Sequence, residues 1–462
     1  MSQFPYAERY TVVRGLPSEG RGRDAILREL REMATEEDAK WEPGKASGSF
    51  YCGDRDHYAF MGEAFAMYGH MNALQRDVCP SATRFEGEII AMGLDLMHAS
   101  AATDGNPVGM LTSGGTLSIF HAMLAYREEG RRRGIERPNV VKPETAHPAF
   151  DKGCYIVGID VRRAPIDPST AQVDVDAMAG LIDENTVAIV GSACNYGYGT
   201  IDPIDRLSAL AVERGVGLHV DGCRGGFLLP FGEALGYDVP RFDFRHPGVT
   251  TISADTHKYG YSVKGTSILM FRDRSLRNGQ YFYKTDWSGG RYSSPGIDGS
   301  RSSGLLAATW ASMVALGRDG YLGYARQIFE TAFAMQDAVR SHPELRLIGS
   351  PTFCFSFTSD RFDIYLVNDE MRRRGWRLNG QQYPGAIHMA VTRPQTQAGI
   401  VEAWTTDLAA AVSYANAHAG EAPRSGPVYA GAGSEWTPEV DTRKRTARET
   451  TLDTFQSLPP SG

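Results

Sequence analysis

Residues 249–265, VTTISADTHKYGYSVKG, begin as an apolar segment and end in a loop that carries two lysines, Lys258 and Lys264. The first seven residues are typical of a buried β-strand. Similar short apolar segments lie at residues 139–144, 154–161, 187–193, 216–222 and 266–271. Because helix-patterned stretches alternate with these near-continuous apolar segments, the sequence predicts an α/β fold with a mostly parallel sheet covered on both faces.

The pattern divides the chain into four parts. Residues 1–80 form a mixed N-terminal segment that contains one charged helical stretch. Residues 81–320 alternate helices and strands and predict a large α/β domain. Residues 321–430 open with a long helical stretch and return to strands and helices, which predicts a smaller C-terminal α/β domain. Residues 431–462 are rich in Gly, Pro, Ser and charge and predict a surface tail.

Composition limits the class of protein. The 462 residues carry 48 basic and 55 acidic side chains, a formal net charge of −7, which argues against a nucleic-acid partner. Six scattered cysteines without a CxxC pair favour free thiols in a reducing cytoplasm over disulfides or a zinc site. The chain shows no signal-peptide pattern and no apolar run of the ~20 residues that span a bilayer. We therefore expect a cytoplasmic protein that does not span a membrane.

Four local features carry chemistry, and each alone also has an ordinary structural explanation. Residues 112–124, TSGGTLSIFHAML, place two glycines before a helix, which suits either an anion site or a simple helix cap. Asp221 ends an apolar strand, where a carboxylate holds a protonated ring nitrogen or caps the next loop. His147 is either a hydrogen-bonded structural residue or a flat group for ring stacking. Lys258 follows His257 after a strand, where desolvation makes an amine nucleophilic.

The order of these features matches the needs of pyridoxal phosphate. This cofactor requires a cradle for its phosphate, a cover for its ring, a carboxylate for its pyridinium nitrogen and a lysine for its aldehyde. The sequence therefore predicts a pyridoxal-phosphate enzyme.

The chain also resembles a known family, the pyridoxal-phosphate-dependent decarboxylases of the aspartate aminotransferase fold (fold type I), and within it the sphingosine-1-phosphate lyases. The resemblance covers about residues 40–395 in the order of the family. The blocks that carry it are WEPGKASGSFY, MLTSGGT, ETAHPAFDKG, VGSACNYGYGTIDPI, LHVDGCRGGFLLPF, ISADTHKYGYSVKG, GSRSSGLLAATWASMVALGRDGY and RRRGWRLNGQQYPGAIHM. It implies a seven-stranded central sheet in the large domain.

The resemblance also implies roles for individual residues. Lys258 binds the cofactor aldehyde, Asp221 pairs with the pyridinium and His147 stacks on the ring. The residues that hold the cofactor phosphate are Gly115, Thr116 and His257, with Ser300 completing the cradle from a partner subunit. This sharing implies a homodimer in which residues 1–80 contact the partner.

By resemblance, Tyr51, Tyr198 and Lys264 contact the substrate or act as acid and base. The sequence departs from the family at three positions: Gln75 replaces a substrate-contacting histidine, Leu117 replaces a glutamate and Arg224 replaces an apolar residue. Glutamine cannot carry the positive charge of histidine. Arg224 is either a surface residue or a new holder for a carboxylate or phosphate.

The resemblance predicts a lyase that cleaves a phosphorylated β-hydroxy amine, such as sphingosine 1-phosphate, by a retro-aldol reaction into an aldehyde and phosphoethanolamine. Gln75 and Arg224 keep an amino-acid decarboxylase open as the alternative. A non-catalytic scaffold of the same fold is a third hypothesis. It predicts loss of the cofactor lysine or aspartate, whereas Lys258 and Asp221 are both present.

Overall fold

The computed structural model describes residues 4–427 together with residues 453, 458 and 459, so most of the predicted tail at 431–462 lies outside the described residues. The helices are α1 (Arg23–Asp38), α2 (Arg55–Tyr68), α3 (Pro80–Leu96), α4 (Gly115–Arg132), α5 (Ala149–Val157), α6 (Val175–Gly180), α7 (Ile204–Arg214), α8 (Leu229–Ala234), α9 (Arg274–Asn278), α10 (Ser303–Arg340), α11 (Ile364–Arg373) and α12 (Ile400–Ala417), with 3-10 turns at Ala99–Ala101 and Arg393–Thr396. The strands are β1 (Val108–Thr112), β2 (Asn139–Pro143), β3 (Asp160–Ala164), β4 (Thr186–Ser192), β5 (Gly217–Asp221), β6 (Val249–Ala254), β7 (Ser267–Phe271), β8 (Phe282–Lys284), β9 (Tyr292–Ser294), β10 (Leu345–Leu347), β11 (Cys354–Ser359), β12 (Asn379–Gln381) and β13 (Ala386–Ala390).

The large sheet confirms the predicted fold class. Its seven strands run in the order β1-β7-β6-β5-β4-β2-β3, and the five from β6 to β3 are parallel to one another. Strand β7 is antiparallel to both of its neighbours. The connection from β6 to β7, residues 255–266, contains no helix, so the chain turns directly back alongside β6. This connection is the loop that carries the two lysines.

One predicted strand is wrong. The apolar stretch 154–161 was expected to be a single strand, but its first residues complete helix α5 and only the last two belong to β3. The reason lies in the residues before it. The side chains that α5 buries follow a helical spacing, Ala149, Phe150, Gly153, Cys154 and Val157. Tyr155 and Ile156 remain exposed, as the opposite face of an amphipathic helix.

A second, antiparallel sheet follows the large one, with strand order β10-β11-β13-β12. The long helix α10 connects the two sheets and loses helical geometry at Gly317, where φ is 56° and ψ is 179°. We keep residues 321–430 as the proposed smaller domain, because this break falls just before residue 321. The division into domains stays a proposal.

The carboxyl ends of β4, β5 and β6 meet at one edge of the large sheet, and the N-terminus of α4 lies there too. In open α/β sheets this edge is where ligands bind. Within the described part of the chain, no helix has the length and apolar character needed to cross a bilayer.

Candidate active site

A cavity of about 570 Å³ opens at this edge of the sheet. It is bordered by the segment before α2, the start of α4, the ends of β4, β5 and β6, and strand β12. Most of the predicted site residues line it: Tyr51, Gly115, Thr116, His147, Asp221, His257, Lys258 and Lys264. The structure therefore brings together side chains that are separated by more than two hundred positions in the sequence.

The start of α4 forms one wall and requires glycine. A Cβ atom on Gly115 would lie 2.7 Å from both carboxylate oxygens of Asp255 and 2.9 Å from the Sγ of Cys223. Gly114, just before it, has a φ of 137°, which side-chain-bearing residues rarely adopt. The N–H of Leu117 donates to the carbonyl oxygen of Gly114 at 3.0 Å, whereas the N–H groups of Gly115 and Thr116 precede any intrahelical acceptor, and the helix dipole is positive there. This wall suits a phosphate group.

Lys258 is held by a buried carboxylate that the sequence reasoning missed. Its Nζ lies 2.7 Å from Oδ2 of Asp255, which follows β6 directly. Burial acts to lower the pKa of Lys258, but the Asp255 carboxylate outweighs it and the pKa is raised. The expectation that desolvation deprives Lys258 of its charge is thus wrong for this geometry. The signal was available, since Asp255 ends its apolar segment as Asp221 does.

His257 packs beside the glycine wall. Its Nδ1 donates a hydrogen bond to the carbonyl oxygen of Thr266 at 2.6 Å, and its Nε2 lies 3.7 Å from Oδ2 of Asp255. Burial lowers the pKa of His257 in spite of the nearby carboxylate. The ring is thereby fixed next to Gly114, where a Cβ atom would be 3.8 Å from its Cε1.

Asp221 is supported from behind by buried polar groups. Its Oδ1 accepts hydrogen bonds from the backbone N–H of Cys223 at 3.0 Å and from the hydroxyl of Ser253 at 3.4 Å. Ser253 also lies 3.2 Å from Nε2 of His219, and Nδ1 of His219 lies 2.7 Å from the hydroxyl of Thr251. Burial lowers the pKa of His219 to about 4, so its ring is neutral at physiological pH.

His147 presents a neutral ring to the cavity. The backbone N–H of Ala149 donates to its Nδ1 at 3.1 Å, which leaves the proton of the neutral imidazole on Nε2. Burial lowers the pKa of His147, although the Asp221 carboxylate opposes this. A neutral, flat imidazole is suited to cover an aromatic cofactor ring.

Lys264 and Tyr51 form a second polar group in the same cavity. Nζ of Lys264 lies 4.6 Å from the centre of the Tyr51 ring and donates to the carbonyl oxygen of His257 at 3.4 Å. Lys264 is solvent-exposed and lines the cavity. Partial desolvation by the neighbouring protein and the charge of Lys258 lower the pKa of Lys264 to about 8. Burial raises the pKa of Tyr51, so its phenol stays protonated.

The loop between the two lysines is packed against other elements. A Cβ atom on Gly260 would lie 2.4 Å from the carbonyl oxygen of Thr256, so only glycine fits. The hydroxyl of Tyr259 donates to the carbonyl oxygen of Val391 at 2.8 Å. Ser262 and Thr309 share a hydrogen bond of 2.7 Å between their hydroxyls. The backbone positions of both lysines are therefore set by packing on other elements.

The structure does not bring Tyr198 into the cavity. Its hydroxyl donates to the carbonyl oxygens of Gln382 at 3.1 Å and Pro384 at 3.0 Å, and its side chain is buried. Tyr196 lines the cavity instead. The turn at 195–198 separates the two rings, since Asn195 accepts from the backbone N–H of Tyr198 at 2.9 Å. The predicted substrate and acid–base role of Tyr198 is corrected accordingly.

Gln75 and Ser300 lie outside the cavity on the protein surface. The hydroxyl of Ser300 accepts a hydrogen bond from the side-chain amide of Asn72 at 2.9 Å, close in sequence to Gln75. Their predicted roles depend on a partner subunit and stay predictions.

Arg224 is not a surface residue. Only 6% of it is exposed, and it lines the cavity beside Tyr196 and Cys194. The expectation of a surface arginine is wrong because the residue follows Asp221 into the buried turn after β5. Leu117 also lines the cavity.

A family model described as "Pyridoxal-dependent decarboxylase conserved domain" matches residues 15–357. The chain belongs to the pyridoxal-dependent decarboxylase family. Among its relatives, the sphingosine-1-phosphate lyase of Dictyostelium discoideum is 40% identical over 91% of this chain and 78% of its own length. The sphingosine-1-phosphate lyase of Arabidopsis thaliana is 40% identical over 90% of this chain and 77% of its own length.

Solved structures agree with the family assignment. The structure of sphingosine-1-phosphate lyase from Burkholderia pseudomallei superimposes with a TM-score of 0.92 at 54% identity, covering 99% of this chain and 100% of that one. Glutamate decarboxylase of Lactobacillus brevis superimposes with a TM-score of 0.74 at 21% identity, covering 89% of this chain and 97% of that one, and shows the shared fold.

This member of the pyridoxal-dependent decarboxylase family is a pyridoxal-phosphate-dependent lyase. The cavity fits the cofactor chemically. It offers a glycine wall at a helix N-terminus, a neutral histidine ring, a carboxylate at a strand end and a lysine, all bordering one space.

Proposed function

We propose that the enzyme cleaves a carbon–carbon bond in a phosphorylated β-hydroxy amine of the sphingosine 1-phosphate type, releasing an aldehyde and phosphoethanolamine. The observation that carries the proposal is Lys264, a second amine that faces the same cavity as Lys258 and lies over Tyr51. A substrate phosphate requires donors of its own, because Lys258 and the start of α4 are taken by the cofactor, and Lys264 supplies such a donor with a positive charge. The sphingosine-1-phosphate lyases at about 40% identity support the same substrate class.

When bound, pyridoxal phosphate supplies an aldehyde for the substrate amine and a ring that withdraws electrons from the reacting carbon. Lys258 would hold the aldehyde and Asp221 would keep the ring nitrogen protonated. His147 would cover one face of the ring. Gly115, Thr116 and His257 would hold the cofactor phosphate at the start of α4, supported by the free N–H groups there.

Lys264 and Tyr51 would act on the substrate. A lysine with a pKa of about 8 is mostly an ammonium at neutral pH and can bind a phosphate oxygen through Nζ. Because burial raises the pKa of Tyr51, its phenol keeps its proton and donates it in a hydrogen bond. Together these two groups would orient the phosphate end and fix the bond to be cleaved.

We also propose that the enzyme is a homodimer with shared active sites. Large apolar side chains are exposed in two stretches. In residues 50–78 they are Phe50, Tyr58, Phe60, Phe65, Met67, Leu74 and Val78, and in residues 282–297 they are Phe282, Tyr283, Trp287, Tyr292 and Ile297. Large exposed apolar patches are typical of protein–protein interaction sites, so these stretches suit a subunit interface. Gln75 and Ser300 lie in or next to them.

We also propose that the enzyme is located in the cytoplasm. All six cysteines are described, and none forms a disulfide. Free, buried thiols are typical of proteins in reducing compartments.

A substrate assay tests the proposed function. The purified holoenzyme is incubated with sphingosine 1-phosphate, with unphosphorylated sphingosine and with a panel of L-amino acids. We expect a long-chain aldehyde and phosphoethanolamine from the first, and little turnover of the second because Lys264 then lacks its anion. Carbon dioxide release from an amino acid without aldehyde release from sphingosine 1-phosphate would contradict the proposal.

Amino-acid decarboxylation is the second candidate. Arg224 favours it, because a buried guanidinium that faces the cavity can bind a substrate carboxylate. The same assay separates the two reactions by their products.

A further inference from the structure

Arg224 has an unusual environment for a buried arginine. Its guanidinium stacks on the ring of Tyr196 with 4.4 Å between its Cζ and the ring centre. Its hydrogen bonds to the described residues all involve Nη1, whose two N–H groups are shared among the carbonyl oxygen of Tyr196 at 3.0 Å, Sγ of Cys354 at 3.1 Å and Nε2 of His388 at 3.2 Å. His388 can accept this bond because its Nδ1 donates to the carbonyl oxygen of Gly197 at 2.8 Å.

The remaining donors of Arg224 are on Nε and Nη2. Neither atom hydrogen-bonds to another of the described residues, and neither is fully enclosed by protein. Arg224 is also among the residues that line the cavity. Two N–H-bearing nitrogens of a fixed cation are thus free to bind a ligand.

Arg272 shows how a purely structural buried arginine is satisfied. Its Nη1 pairs with the carboxylate of Asp104 at 2.7 Å. Its Nε and Nη2 donate to three backbone carbonyl oxygens, those of Val249, Phe244 and His246. Arg224, by contrast, has no carboxylate within 4.0 Å among the described residues. The group beside it that most nearly carries a negative charge is the Cys354 thiol, which accepts from Nη1; burial alone would raise the pKa of this thiol, but Cys194, His388 and Arg224 lower it. An oxyanion at Nε and Nη2 would further lower the cost of burying the guanidinium.

The arginine is also held in place for such a ligand. Tyr196, on which it stacks, is itself stacked on the ring of His388 with 5.3 Å between ring centres and 19° between planes. Strand β13 fixes His388, and β5 fixes the turn that carries Arg224. A preorganised guanidinium binds an oxyanion with little loss of side-chain freedom.

We propose that Arg224 is a specificity-determining residue that binds an oxyanion of the amine substrate, through Nε and Nη2, alongside the anion site at Lys264. The inference rests on the proposed function in that it needs the substrate amine to bind at the aldehyde of the cofactor that Lys258 would hold. It makes the enzyme select amines that carry an anionic group, phosphate or carboxylate, over neutral amines.

The test compares ligands that differ in charge and need not turn over. Phosphoethanolamine, L-serine and ethanolamine are titrated into the holoenzyme, and binding is followed by the change in the visible absorbance of the cofactor. Arg224→Met is expected to weaken binding of an anionic amine about 10- to 100-fold and to leave ethanolamine unchanged. Arg224→Lys keeps a cation and is expected to recover part of the loss. Arg245→Met removes an arginine paired with Glu233 outside the cavity and serves as the control.

Each outcome decides a question. Weakening confined to phosphoethanolamine supports both the proposal and a phosphorylated substrate. Weakening confined to L-serine supports oxyanion binding by Arg224 but contradicts the proposed phosphorylated substrate. Equal weakening for all three ligands, or none for any of them with the cofactor retained, would overturn the proposal. Thermal unfolding of each variant shows whether the fold is intact.

Discussion

Lys264 makes the reaction sensitive to pH at the level of a single residue. Partial desolvation and the charge of Lys258 lower its pKa to about 8, so the ammonium form is present below that pH and is lost above it. If this ammonium binds the substrate phosphate, the KM for sphingosine 1-phosphate should rise as the pH increases through about 8. Steady-state kinetics across pH 6.5 to 9.5, roughly the range over which such a lysine titrates, measures this.

The conservative variant Lys264→Arg provides the comparison, because arginine keeps its charge throughout this range. Its KM should stay flat where that of the unmodified enzyme rises. A KM that rises equally in both enzymes would show that another group is responsible.

Residue-scale prediction from sequence succeeded where a side chain ends a strand and failed where a turn decides its direction. Asp221 and Lys258 follow apolar strands, and the structure places both at the cavity. Tyr196 and Tyr198 are two positions apart in a turn, and only the structure shows which ring faces inward. Asp255 ends its strand as Asp221 does, but a strand-end aspartate also commonly caps the following turn, so its pairing with Lys258 appears only in the structure. The burial of Arg224 depends on packing against Tyr196 and His388, which no local pattern encodes.

At the scale of elements, the start of α4 is the most sensitive part of the site. Gly115→Ala would place a methyl group 2.7 Å from the carboxylate oxygens of Asp255, closer than carbon and oxygen can approach. We expect the helix start to shift and cofactor affinity to fall by at least about tenfold, the effect of losing one charge-assisted hydrogen bond. Titration of the apoenzyme with pyridoxal phosphate measures the affinity.

Gly87→Ala is the matched control for that variant. Gly87 lies on the exposed side of α3, and nothing is within 4 Å of the position of its added Cβ. Alanine is a better helix former than glycine, so this variant should be up to ~1 kcal/mol more stable and bind cofactor normally. Equal cofactor affinity in the two glycine variants would show that the start of α4 does not hold the cofactor.

The elements themselves were largely predictable. Helices α1, α3 and α4 and strands β2, β4, β5, β6 and β7 lie where the hydrophobic spacing places them. The apolar run 154–161 was ambiguous because a short buried helix and a buried strand have the same composition. Strand β7 is antiparallel to β6 because the loop between them turns the chain directly back. The sequence does not predict this direction, because a loop of that length fits either a turn or a crossover connection.

At the scale of the whole molecule, a complementation experiment tests shared active sites. Lys258→Ala removes the cofactor lysine, and Ser300→Asp places a negative charge where a partner's cofactor phosphate is proposed to lie. Each variant alone should be inactive. Mixed dimers of one Lys258→Ala chain and one Ser300→Asp chain are purified through two affinity tags. If Ser300 acts across the interface, such a dimer contains one intact site and should show about half of the normal activity.

Mixed dimers of unmodified and Lys258→Ala chains calibrate that value. If Ser300 acts only within its own chain, the mixed dimer of Lys258→Ala and Ser300→Asp chains has no intact site and stays inactive. The same preparation gives the mass, which should be about twice the 50.5 kDa of one chain.

The division of work between the two lysines is the central claim, and one paired measurement tests it most directly. The visible absorbance of the bound cofactor and the turnover of sphingosine 1-phosphate are recorded for Lys258→Ala, Lys264→Ala and the exposed-lysine control Lys152→Ala. We predict that Lys258→Ala loses both the absorbance band and turnover, that Lys264→Ala keeps the band and loses turnover, and that Lys152→Ala keeps both. Loss of the band in Lys264→Ala with its retention in Lys258→Ala would contradict the account.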